Sequence, residues 1–90
     1  MYNVQFSKEA KKNIQKLTLK IQKQIKTSIL ELSEDPSKGK ALTHELKGLL
    51  SYRSGNYRII YEIHKKEILI IVLTVGNRKD VYTKATRKQK

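Results

Sequence analysis

Ninety residues carry 20 Lys and Arg against 8 Asp and Glu, a formal charge of +12, with 38% apolar residues and no cysteine. That length holds one small domain with one core, and the lack of cysteine excludes disulfide frameworks and Cys-based zinc sites. The surplus charge repels itself but draws polyanions, so nucleic acid is the first partner class to weigh, against the plainer reading of a solvated basic surface.

The charge is uneven. Residues 1–45 hold 9 basic and 5 acidic side chains, whereas residues 46–90 hold 11 and 3. The longest apolar run, residues 68–73, is too short to span a bilayer. The first six residues alternate polar and apolar, unlike the continuous apolar segment of a signal peptide. The expectation is a soluble, cytoplasmic protein with no membrane partner.

Tyr2, Val4 and Phe6 alternate with Asn3 and Gln5, the period of a half-buried strand. Ser7 is a good N-cap for a helix whose Ala10, Ile14 and Leu17 share one face. Thr18 offers a second cap and a short break, after which Ile21, Ile25, Ile29 and Leu32 recur at helical spacing. These segments read as a helical hairpin laid on a sheet. Lys11, Lys12, Lys16, Lys20, Lys23 and Lys26 face mostly outward, as a solvated face rather than a binding surface. Pro36 disfavours helical geometry at Asp35, and Gly39 permits a turn. Residues 41–48 fit either a turn of helix or an extended connection.

Two β-branched runs, residues 57–63 and 67–75, signal an antiparallel hairpin. A two-residue turn at Lys65-Lys66 would pair His64 with Glu67 and set Arg58 opposite Leu73, Ile60 opposite Ile71 and Glu62 opposite Leu69. Tyr57, Ile59, Tyr61, Ile63, Ile68, Ile70 and Val72 then make an apolar face for the helices. Arg58 and Glu62 lie on the other, mixed face, the candidate working surface. Ser54-Gly55-Asn56 reads as a three-residue hairpin loop with a bulge, which leaves the faces of Tyr52 and Arg53 open. The predicted fold is α+β: an N-terminal strand, a helical hairpin and a three-stranded antiparallel meander, with both helices on one sheet face. It fills a single domain, 1–90, with residues 83–90 a loosely held basic tail.

The residues Leu46-Lys47-Gly48, Gly55-Asn56-Tyr57-Arg58-Ile59-Ile60-Tyr61-Glu62-Ile63 and Val75-Gly76-Asn77-Arg78-Lys79-Asp80-Val81-Tyr82, in this element order, resemble the RelE/ParE toxin superfamily of toxin–antitoxin modules. The resemblance covers essentially the whole chain. It implies a ribosome-dependent endoribonuclease that cuts mRNA in the decoding site, without metal or cofactor. Its partners would be mRNA, the ribosome with its 16S rRNA surface, and a small antitoxin that neutralises it. In RelE-like members the arginine of the Tyr-Arg segment, the arginine after the last strand and a nearby tyrosine act at the scissile phosphate, which corresponds to Arg58, Arg78 and Tyr82.

Metal-free cleavage needs an activated 2′-hydroxyl, a stabilised phosphorane and a protonated leaving oxygen. Guanidinium groups suit the second task, being permanently charged and able to grip two phosphate oxygens. Arg58 is the foremost candidate, with an ion pair to Glu62 as its structural alternative. Arg78 is a charge clamp before it is an acid. Tyr82 either orients the 2′-hydroxyl or anchors the tail. The chain departs from RelE where two lysines stand on the strand before the Tyr-Arg segment, because Leu49 and Ser51 occupy those positions. Lys47 and Lys79 are possible substitute bases and RNA contacts, a base requiring a pKa lowered by neighbouring cations. Arg53 is a candidate backbone-phosphate contact. His44 and His64 read as ordinary exposed histidines, and no Asp/Glu/His cluster has metal-ligand spacing. A ParE-like gyrase poison, and a weakly catalytic relative that mainly binds its antitoxin, remain open as alternatives.

Overall fold

A computed structural model describes residues 1–77 together with Val81. The chain runs through β1 (Asn3–Phe6), α1 (Lys8–Gln15), α2 (Leu19–Glu34), β2 (Lys40–Ala41), β3 (Leu50–Ser54), β4 (Tyr57–His64) and β5 (Leu69–Asn77). Short 3₁₀ turns at Pro36–Lys38 and His44–Leu46 bracket β2. Residues 41–48 therefore combine both expected forms, an extended edge and a helical turn. The five strands form one sheet in the order β1-β5-β4-β3-β2. β1 lies parallel beside β5 and every other neighbour pair is antiparallel. The architecture is the expected α+β class, with β2 added at one edge.

Both helices begin at the residues whose side chains can satisfy their orphan amides. Ser7 Oγ accepts from the Ala10 N–H at 3.0 Å and donates to the Leu73 carbonyl at 2.7 Å, tying the cap to the sheet. Thr18 Oγ1 accepts from Ile21 N–H at 3.3 Å. Beyond α2, Asp35 accepts from both the amide and the hydroxyl of Ser37, which holds its carboxyl below the usual carboxylate range.

The helix stripes meet the sheet as the spacing requires. Ala10, Ile25, Ile29 and Leu32 bury against Ile59, Tyr61, Ile70, Val72 and Val75. Each large apolar side chain removed from water here contributes about 1.5–3 kcal/mol before entropy is counted. Tyr61 is wholly buried yet polar at its tip: its hydroxyl donates to the Pro36 carbonyl at 2.6 Å and accepts the Gly39 N–H at 3.0 Å. A Cβ at Gly39 would stand 2.2 Å from that hydroxyl, so glycine is required by close approach.

The opposite sheet face is not bare. Leu49, Ile60 and Val81 are buried together there, with Leu42, Leu46 and Leu73 packed around them. The connection from β2 to β3 thus folds over part of the candidate working surface.

The β4–β5 pairing differs from the expected register. Four residues, 65–68, connect the strands, so His64 faces Leu69 and Glu62 faces Ile71. A bulge then inserts Leu73, because Tyr61 pairs with Val72 while Ile60 pairs with Thr74. Arg58 consequently faces Gly76 rather than Leu73. Ile68, expected in the apolar face, is exposed in the connection with φ 51°. The first hairpin is also tighter than expected: Ser54 pairs with Tyr57 across Gly55 and Asn56 alone. Gly55 has φ 61° and Asn56 does not have positive φ, the pattern of a II′ turn.

Candidate phosphate-binding site

The two-residue turn settles the faces of β3. Tyr52 lies opposite Ile59 on the helix side, where its hydroxyl donates to Glu31 of α2 at 2.9 Å and the carboxylate pushes the phenol pKa up. Arg53 lies opposite Arg58 on the other face. Two like charges placed directly across a strand pair destabilise the sheet. The ion pair between Arg58 and Glu62 does not form; Glu62 Oε1 instead meets His64 Nε2 at 2.9 Å. Among the described residues, neither arginine has an acidic partner within ion-pair distance.

Their own hydrogen bonds are weak and local. Arg53 Nε donates to the Gly55 carbonyl at 3.2 Å, and Arg58 Nη1 approaches the Tyr57 carbonyl at 3.5 Å. Both side chains therefore lean toward the turn end of the hairpin. An incoming phosphate would replace these contacts with charge-assisted, bidentate ones.

The bulge decides what stands beside the pair. Without the extra Leu73, Val75 would face Arg58. With it, Val75 turns into the helix-side core and Gly76 takes the place opposite Arg58. Asn13 of α1 secures the irregularity, since its Oδ1 accepts the Val75 N–H and the Thr74 hydroxyl, both at 3.0 Å. Val81 packs beside Gly76: a Cβ built there would lie 3.7 Å from Val81 Cβ, an ordinary van der Waals contact. Asn77, the residue before Arg78, pairs with Tyr57 at the same end. Arg78, Lys79 and Tyr82 themselves lie outside the described residues.

Lys47 is exposed at the end of the His44–Leu46 turn, on the segment covering this face. Leu49 is 2% exposed and Ser51 is buried, so both positions are built into the packing. Sequence reading missed Lys40. Its register opposite Ser51 puts it on the face of Arg53 and Arg58, one strand further out; only the β2 pairing reveals this.

A groove of about 610 Å³ runs along β1 and α2 on the helix side and is lined largely by apolar side chains such as Met1, Tyr2, Phe6, Leu19 and Leu30. Among the described residues no group of three or more His, Cys, Asp or Glu could hold a metal ion, and no helix is long and apolar enough to cross a membrane.

Residues 4–82 match the family described as ParE toxin of type II toxin-antitoxin system, parDE. The chain belongs to this family. Toxin RelG of Mycobacterium tuberculosis is 34% identical over 83 residues, 90% of this chain and 95% of that protein. The mRNA interferase toxin RelE of Escherichia coli K12 is 27% identical, with 97% of this chain and 96% of that protein covered. Among solved structures, the toxin-antitoxin complex RelBE2 of M. tuberculosis aligns with a TM-score of 0.80 at 33% identity, covering 86% of this chain and 98% of that one. The protein is a RelE-like toxin of a toxin–antitoxin module.

Proposed function

We propose that this toxin is a ribosome-dependent endoribonuclease that cleaves mRNA in the decoding site by attack of the 2′-hydroxyl on the adjacent phosphate. The observation that carries the reading is the directly opposed Arg53 and Arg58, without acidic partners among the described residues. A sheet accepts that repulsion at a stability cost of order 0.2–1 kcal/mol, and a polyanionic substrate removes it. Arg58 stabilises the charge of the pentacoordinate phosphorane and Arg53 holds the neighbouring backbone. Arg78 and Tyr82 complete the site; their described chain neighbours, Asn77 and Val81, both lie next to Gly76, the partner of Arg58. Lys47 and Lys79 supply further RNA contacts. The mechanism asks for no metal or cofactor.

The toxin is held inactive in the cytoplasm by a cognate antitoxin, in keeping with relatives crystallised as toxin–antitoxin complexes. An inhibitor gains most by neutralising the cationic face. Arg58→Ala and Arg78→Ala are expected to abolish growth arrest and to lower ribosome-dependent cleavage about 10²–10³-fold while leaving the fold intact. Unchanged cleavage by the Arg58 variant would overturn the assignment.

One observation favours a second reading, a ParE-like gyrase poison. Leu49 and Ser51 are buried where RelE has its lysines, leaving the proton acceptor unassigned. Induction with intact message but blocked DNA supercoiling is the outcome that would select it.

A further inference from the structure

Besides the Asn13 contacts to β5, the helix–sheet interface carries a second polar cluster, under the Ser54-Gly55 turn. There Ser28 Oγ meets Ser54 Oγ at 2.6 Å, both side chains buried. Gln24 Nε2 donates to the Ser54 carbonyl at 2.8 Å and approaches its hydroxyl at 3.5 Å. The Ser54 hydroxyl in turn reaches back to the Gln24 carbonyl at 3.5 Å. Gly55 fits under the same amide so closely that a Cβ would lie 2.5 Å from Gln24 Nε2. Stability alone does not ask for this arrangement, since a buried pair of hydroxyls replaced by apolar groups of the same shape is nearly neutral. Its geometric effect is specific: it binds the turn between the two arginines to a rigid helix on the far side of the sheet.

We propose that Gln24, Ser28 and Ser54 are positioning residues for the phosphate-gripping arginines. The linkage is short. Ser54 precedes Gly55, whose carbonyl receives Arg53 Nε at 3.2 Å, and Ser54 pairs with Tyr57, whose carbonyl is the contact of Arg58 Nη1. Two residues separate the clamp from each guanidinium's backbone anchor at most. A hairpin tip free to hinge would let two repelling cations spread apart. Pinning it keeps them near one another in the absence of substrate, the preorganisation that charge stabilisation requires. A displacement of about 1 Å at such a site costs up to about 10²-fold in rate. The inference depends on the nuclease reading for its consequence, but not for its geometry.

The test uses the full chain and compares wild type first with Ser28→Ala/Ser54→Ala and Gln24→Met. Thermal melting of each variant within a few degrees of wild type is expected. Ribosome-dependent cleavage should fall roughly 10–100-fold in kcat with KM nearly unchanged. In an Arg53→Ala background the same clamp substitutions should cost less than in wild type, because part of their effect acts through Arg53. A Ser54→Thr variant, which keeps the hydroxyl, should recover activity. Independently of any activity, ¹H–¹⁵N relaxation of the Arg53 Nε–H should show faster motion in the clamp variants. Wild-type motion of that group in both variants would overturn the proposal whatever the toxin's target. Loss of cleavage that is fully additive with Arg53→Ala would also overturn it. A wild-type protein that cleaves no message but shows the relaxation change would remove the nuclease reading and leave the clamp.

Discussion

Removing one oxygen from the core tests how the meander is fixed to the helices. In Tyr61→Phe the ring stays, while the Pro36 carbonyl loses its 2.6 Å donor and the Gly39 amide its 3.0 Å acceptor. Each buried group left unpaired costs about 1–3 kcal/mol. Pro36 and Gly39 are both half-buried, so water recovers part of each loss and a total of about 2–3 kcal/mol follows. For a domain of this size that lowers Tm by about 10–20 °C. The phenol adds a pH signature. Burial pushes its pKa up to about 12, above the ordinary value near 10. The folded state therefore holds the proton more tightly than the unfolded chain. This contribution is complete below pH ~10 and is lost as pH climbs from there through about 12. Melting by circular dichroism from pH 7 to 12 should show wild type losing more stability than Tyr61→Phe across that window. A variant within 2 °C of wild type at neutral pH, or one sharing the same alkaline limb, would show that the phenol does not fix the Pro36–Gly39 segment.

Other substitutions probe the hairpin ends and the bulge. Ile68→Gly relieves a β-branched residue held at φ 51° with its side chain already exposed, and should raise stability by about 1 kcal/mol in urea unfolding. Asn13→Ala strands the Val75 amide and the buried Thr74 hydroxyl; a loss of about 2 kcal/mol and faster hydrogen exchange at Val75 are expected, whereas Asn13→Asp keeps the acceptor. Arg53→Thr relieves the like-charge pair and should stabilise the fold by about 0.2–1 kcal/mol, more at low salt, while weakening RNA binding in filter assays.

The helices were legible because their signals are local. Ser7 and Thr18 cap where a hydroxyl precedes an apolar stripe, and Ile25, Ile29 and Leu32 bury as their spacing requires. Face assignment along β4 was legible too, since Arg58 and Glu62 mark one face and Tyr57, Ile59, Tyr61 and Ile63 the other, although Ile60 is buried as well. Cross-strand partners were not. Ile68 carries a conformation that glycine or asparagine would have announced, so the length of its turn was hidden. Leu73 looks like any other member of an aliphatic run, and its bulge depends on Asn13, 60 residues earlier in the chain. The two errors moved the partner of Arg58 in the same direction, from Leu73 to Gly76. Arg53 was uncertain for a related reason: its face hinges on whether the turn holds two residues or three.

The bulge and the clamp address one problem from opposite sides. A guanidinium pair at a sheet's end needs a small neighbour beside it and fixed backbone below it. Leu73 sets the neighbour, because its bulge puts Gly76 rather than Val75 opposite Arg58, and Val75 joins the core instead. Gln24 and Ser28 provide the fixity, because they tie the Ser54 turn to α2. Both devices draw on the helices, through Asn13 on one and Gln24 and Ser28 on the other. The helical hairpin thus does more than cover the sheet. It determines which residue neighbours Arg58 and restrains the turn that joins Arg58 to Arg53, so changes on the helix side, far from any phosphate, should register at the arginine face.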